Sequence, residues 1–206
     1  MSEPALLSSL RAGLWRISIN RPPLNTLDLA TLRALAAALR QARAEPQTRL
    51  VVLTGEGERA FCAGFEAGLP GAEEQPELLA AIQETYGAFA DLTAAAIPTV
   101  ALVKGQALGI GCELAALCDT LIAREDAEFG LPEIAQGTIA PLAAATFPRR
   151  FAPRVALRLV LTGERINAAE AYRVGLAHQV LSTERFLTDA EELLLMLALL
   201  GTNNKS

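Results

Sequence analysis

The chain has 206 residues, 51% of them hydrophobic, which is enough for one domain with a packed core. Its formal net charge of −5 comes with no basic stripe that could neutralise phosphates, and this argues against nucleic acid as a partner. The three cysteines, Cys62, Cys112 and Cys118, are odd in number, lack CxxC spacing and follow no secretory signal, so they read as reduced thiols of a soluble cytoplasmic protein.

Along the chain, Leu14-Trp15-Arg16-Ile17-Ser18-Ile19 alternates as a strand does and stops at the turn signal Asn20-Arg21-Pro22-Pro23. Asp28 reads as the N-cap of a helix running to about Ala44, with Leu29, Leu32, Leu35 and Leu39 on one face and Pro46 beyond its end. Leu50 to Thr54 is a continuous apolar run closed by Gly55, the pattern of a strand buried on both faces. A glycine-rich loop, Gly64 to Gly71, precedes a helix from about Pro76 to Ala96. Pro98 to Val103 repeats the buried-strand pattern and leads into Gly105–Gly111 and a short helix reaching Leu117.

Thr120 to Ala123 is another strand, and after Phe129 the chain turns mainly helical. Asn167 and Glu170 form a capping-box-like pair before one of these helices. Ala177 to Val180 reads as a last short strand, followed by a helix from about Thr188 to near Gly201. The longest apolar run, Leu193 to Leu200, is far short of the roughly 20 residues a membrane helix needs, so no membrane partner is expected. That helix is apolar nearly all round and should be buried on most of its surface, in part against a neighbouring subunit. Strands alternating with helices give an α/β class. No linker or repeat marks a second domain, so residues 1–206 are expected to form one.

Two glycine-rich elements follow buried strands: Ala60-Phe61-Cys62-Ala63-Gly64-Phe65 and Gly109-Ile110-Gly111-Cys112-Glu113. Glycine lets backbone approach a ligand closely, and a helix start adds unpaired N–H donors with a favourable dipole. Two such donors converging on one carbonyl oxygen make an oxyanion hole. Taken singly, glycines after strands are more often plain turns.

Together these stretches resemble the crotonase (enoyl-CoA hydratase/isomerase) superfamily. AFCAGFE (60–66) is similar to its first oxyanion-hole motif, and VKGQALGIGCELAALCDTLIAREDAEFGLPEI (103–134) to its second motif and the segment beyond. LVLTGERINAAEAYRVGLAHQV (159–180) and NRPPLNTL (20–27) extend the resemblance over about residues 12 to 182. It implies a spiral of strand-strand-helix repeats, assembled as homotrimers or hexamers. It also implies an acyl-CoA thioester as substrate, with coenzyme A part of the substrate and no separate cofactor or metal.

Residue by residue, the resemblance assigns the oxyanion-hole donors to the N–H groups of Phe65 and Ile110. It assigns the acid/base pair to Glu113 and Glu133, and contacts to the substrate to Ala63, Gly64, Phe65, Gly109 and Pro141. Glutamate at both catalytic positions favours hydration; a double-bond isomerase or a non-catalytic acyl-CoA-binding subunit are the alternatives. Glu66 stands where the family usually has aspartate, and it reads as a surface ion pair or a residue at the entrance. His178, the sole histidine, reads as structural, and Cys62 and Cys112 as small buried residues.

Three features depart from the family pattern. Ile110 replaces a common glycine, and its branched side chain is expected to narrow the acyl pocket. The usual GTIPGAGGT becomes GTIAPLAAA (137–145), so Pro141, which has no N–H, stands beside the expected water site. The APLAAATFP pattern (140–148) resembles hydratases acting on cyclic dienoyl-CoA thioesters. Finally, the chain is expected to lack the family's full C-terminal helical segment.

Overall fold

A computed structural model describes residues 4–66, 75–137 and 140–200. The run Leu50–Gly55 (β3) lies inside a six-stranded sheet and is buried at every position. The reason is that its alternate side chains serve two different cores. Val51 and Leu53 point into the main core, whereas Leu50 and Val52 join a second cluster on the opposite face. Strand β5 (Thr99–Val103) divides in the same way, Ala101 and Val103 against Val100 and Leu102. A strand with apolar contacts on both faces has no polar positions to alternate, hence the continuous pattern.

The sheet order is β1-β2-β3-β5-β7-β10, with β1 at Leu6–Arg11, β2 at Leu14–Ile19, β7 at Thr120–Arg124 and β10 at Gln179–Leu181. All neighbours are parallel except β1 and β2, a hairpin across Ala12 (φ 52°) and Gly13 (φ 82°). The sequence reading contains no β1. Leu6-Leu7-Ser8-Ser9-Leu10-Arg11 lacks alternation, and most of the strand is exposed, so pairing with β2 rather than burial of its side chains holds it in place.

A second sheet has the order β4-β6-β8-β9, with β4 at Ala60–Cys62, β6 at Gln106–Leu108, β8 at Glu128–Gly130 and β9 at Arg165–Asn167. Each unit of chain gives one strand to each sheet and then a helix. The units are β3-β4-α2 (α2 Gln75–Ala94), β5-β6-α3 (α3 Ile110–Leu117) and β7-β8 followed by a 3₁₀ turn at Pro132–Gln136. This is the strand-strand-helix repeat that the resemblance implied. Its second strands leave no signal in the sequence, because three residues are too few for any periodicity to register.

Helix α1 (Leu29–Ala44) begins where expected: Asp28 accepts from the Thr31 N–H at 2.7 Å, and Leu32, Leu35 and Leu39 are fully buried. The remaining helices are α4 (Pro141–Thr146), α5 (Pro153–Thr162), α6 (Ala168–Arg173) and α7 (Phe186–Leu200). At α6 only half of the expected box forms. Asn167 accepts from the Glu170 N–H at 2.9 Å, but the Glu170 carboxylate turns to Arg173 instead, at 2.6 and 2.7 Å. Within the single chain, helix α7 is covered in part. Only one face is buried, with Leu194 and Ala198 packed on the second core, while Leu187, Leu195, Met196 and Leu199 are exposed.

The turn before α1 is tied down by one buried side chain. Asn25, at φ 53°, donates from Nδ2 to the carbonyls of Glu56 (2.9 Å) and Ala60 (2.8 Å) and accepts from the Arg21 N–H at 3.0 Å. It joins the 21–25 turn to the start of β4. Asn25→Ala would strip the donor from two carbonyls and is expected to cost about 3 kcal/mol. Urea unfolding tests this; an unchanged midpoint would mean that water replaces the side chain.

Candidate active site

Strands β4, β6 and β8 are parallel neighbours. Their carboxyl ends therefore lie side by side, and the segments leaving them, 63–66, 109–113 and 131–133, meet at one edge of the small sheet. Phe65 forms an isolated parallel bridge with Leu27, which donates to the Gly64 carbonyl (2.8 Å) and accepts from the Glu66 N–H (2.9 Å). Successive peptide groups of extended chain point to opposite sides, so the Phe65 N–H faces away from Leu27. A Cβ on Gly64 would come within 3.7 Å of the Leu108 carbonyl, which lays this loop against the end of β6.

Ile110 is the first residue of α3, behind an N-cap, Gly109, that offers no side chain to the helix start. Its N–H is one of the donors that a helix start leaves unpaired. Neither this group nor the Phe65 N–H has a hydrogen-bond partner among the described residues. Glycine is required at two points here. A Cβ on Gly111 would collide with the Cys62 carbonyl, and one on Gly109 (φ 55°) with Oε1 of Glu133.

The second contact locates Glu133, on the 3₁₀ turn after β8, against the start of α3. Glu113 stands in the first turn of the same helix, its N–H bonded to the Gly109 carbonyl at 3.0 Å. Both carboxylates are buried, at 4% exposure for Glu113 and 9% for Glu133, but their surroundings differ. Oε1 of Glu113 accepts from the Ala143 N–H of α4 at 2.7 Å. Oε2 of Glu133 is buried with no hydrogen-bond partner among the described residues. Burial pushes Glu133 above the usual carboxylate range, offset in part by its own backbone N–H. The Cys112 thiol feels the charge of both carboxylates. It is raised first by burial, then by the charge of Glu113, with a smaller contribution from Glu133.

A family model described as Enoyl-CoA hydratase/isomerase matches residues 9–202. The chain is 32% identical over 197 residues to a carnitinyl-CoA dehydratase of Proteus mirabilis, covering 94% of this chain and 74% of that one. It is 37% identical over 193 residues to a probable enoyl-CoA hydratase of Rhizobium meliloti, covering 92% and 74%. An enoyl-CoA hydratase/isomerase family structure from Silicibacter pomeroyi superposes with a TM-score of 0.84 at 30% identity, covering 94% of this chain and 83% of that one. The chain belongs to the enoyl-CoA hydratase/isomerase family.

Within this family member, the edge below β4, β6 and β8 brings together Ala63, Gly64, Phe65, Gly109, Ile110, Glu113 and Glu133. Ala63 donates its N–H to the Leu24 carbonyl at 3.0 Å, so it holds the loop rather than offering a free donor. The bulk of Ile110 is taken up in the main core at 4% exposure. Pro141 is the first residue of α4, where a missing N–H costs the helix nothing; its side chain lies outside the described residues. Glu66 pairs with Arg21, which also pairs with Asp28; Arg21 and Glu66, with Pro22, Pro23, Leu24 and Thr26, line an open cleft of about 450 Å³.

His178 is structural, since its Nδ1 accepts from the Leu121 N–H at 3.0 Å and so ties the approach to β10 onto β7. Cys62 is fully buried and its thiol is pushed up to about 12 by burial. Among the described residues no helix is long and apolar enough to cross a membrane, and no three acidic, histidine or cysteine side chains are grouped to hold a metal ion. The group that the sequence reading missed is the Ala143 N–H that grips Glu113. A backbone donor carries no residue signature.

The raised Glu133 has a consequence for stability. The folded state binds this proton more tightly than the unfolded chain, whose carboxyl has the ordinary value. The resulting stabilisation is complete below the ordinary value and is lost as pH rises through the folded one. Glu133→Gln cannot ionise, so it should be more stable than the parent at neutral pH and equal to it near pH ~4. Calorimetric Tm values across that range test this; a difference independent of pH would sink it.

Proposed function

We propose that this protein is a hydratase-type lyase that adds water across the double bond of an α,β-unsaturated acyl-CoA. The supporting observation is that two N–H groups with no partner among the described residues, on Phe65 and Ile110, lie at the sheet edge that also carries two carboxyl groups in unlike surroundings. In this reading the Phe65 and Ile110 N–H groups hold the thioester oxygen. Water loses a proton to Glu113 and its oxygen bonds to the β-carbon. The π electrons move toward the α-carbon and onto the thioester oxygen as an enolate, whose charge the two donors stabilise. The enolate then takes a proton at the α-carbon from Glu133.

The surroundings favour this division of labour. A carboxyl with one oxygen buried and unpartnered holds a proton more readily and is suited to act as acid, while one held by a backbone N–H from another helix is suited to receive a proton. A double-bond isomerase would need the same N–H pair but only one proton shuttle, and a binding subunit would need neither carboxyl. The open cleft lined by Arg21 and Glu66 offers room for the coenzyme A portion.

Turnover of crotonyl-CoA, decenoyl-CoA and a cyclic dienoyl-CoA, followed by loss of the conjugated absorbance and by mass, tests the reading. The GTIAPLAAA stretch and Pro141 favour the cyclic substrate over decenoyl-CoA; the opposite ratio would overturn that preference. Glu113→Gln and Glu133→Gln should each lower kcat by about 100-fold or more while acyl-CoA binding persists. Near-parental turnover in either variant removes that residue from the mechanism.

The exposed face of α7, with Leu187, Leu195, Met196 and Leu199, supports assembly as a homotrimer or hexamer. Light scattering at micromolar concentration should give a multiple of the chain mass, and a monodisperse monomer would refute it.

A further inference from the structure

Tyr86 of α2 is half-buried against the main core, and its hydroxyl lies 3.5 Å from Oγ1 of Thr146. Thr146 is the last residue of α4, and Ala143, which grips Glu113, stands three residues earlier on that helix. Residues three apart share a helix face, separated by about 4.5 Å along the axis. The phenol and the carboxylate that receives the water proton in the proposed reaction therefore contact the same short helix, and the Glu113 charge acts on the phenol. Its ionisation is raised first by burial and further by the charge of Glu113, so it stays a neutral hydroxyl able both to donate and to accept. The hydration chemistry derived above uses neither Tyr86 nor Thr146.

We propose that Tyr86 and Thr146 form a polar end to the acyl site and select acyl-CoA thioesters carrying a hydroxyl or oxo oxygen a few carbons beyond the β-carbon. An all-apolar chain end placed there would strip water from the phenol without replacing its hydrogen bond. An oxygen-bearing end restores that bond, and sites built to bind a substrate hydroxyl discriminate strongly against analogues that lack it. The inference rests on the hydratase reading only in placing the acyl group beside Glu113.

The test uses saturated thioesters, so that binding is read without turnover. Hexanoyl-CoA and its 4-, 5- and 6-hydroxy derivatives are titrated calorimetrically into the parent chain, Tyr86→Phe and Thr146→Val. At least one hydroxy derivative should bind the parent about 10-fold more tightly than hexanoyl-CoA, and Tyr86→Phe should abolish that ratio. Thr146→Val should reduce it, and serves in place of Tyr86→Phe should that variant misfold. A parent without any preference, or variants that keep it, overturn the proposal, as does equal weakening of all four ligands. Crotonyl-CoA hydration by the parent is assayed alongside. Missing turnover with an intact preference sinks the hydratase reading alone, and turnover with no preference sinks the polar end alone.

Discussion

The carbonyl of Cys62 presses against Gly111, and the rest of the site depends on that contact. It locks the end of β4 to the first turn of α3, where any Cβ would force the two apart. Because β4 and β6 run parallel, the chain leaves both at the same edge, one strand spacing apart. The Phe65 N–H and the Ile110 N–H are products of that arrangement. One is turned outward by the Leu27 bridge and the other is left over by helix geometry. Neither needs a particular side chain, which is why isoleucine can stand where the family commonly has glycine.

The two glutamates acquire different chemistry from one feature each. Glu113 reaches the Ala143 N–H across the gap between α3 and α4, whereas Glu133 is packed against Gly109 with one oxygen buried and unpartnered. Burial penalises the Glu133 carboxylate and raises its affinity for a proton. Two residues of the same type thereby sit in unlike hydrogen-bonding surroundings.

The large sheet supports this edge through two cores on opposite faces. The main core fills the space between the sheets and α1, α2 and α3, and the second seats α7 on Leu50, Val52, Val100 and Leu102. Hydrophobic burial on both faces fixes strand register, since a slip of one residue would exchange the two sets of side chains. Register in turn sets where β3 and β5 hand the chain to β4 and β6, and so where the two glycine motifs fall.

Much of this was written in the residues themselves. The buried runs at Leu50 and Thr99, the Asp28 cap, the α1 stripe and the two glycine motifs are local patterns, each set by interactions a few residues apart. The motifs also carried the family and named Phe65, Ile110, Glu113 and Glu133. The short strands β4, β6 and β8 were not legible, because three-residue pairings are held by partners far along the chain. Nor was the side of α7 that this chain leaves uncovered, because its apolar sequence looks alike on every face. The unlike surroundings of Glu113 and Glu133, and the pairing of Tyr86 with Thr146 on the helix that grips Glu113, were decided only by tertiary structure. Desolvation and a backbone N–H from a distant helix act through space, and a sequence records neither distance nor dielectric.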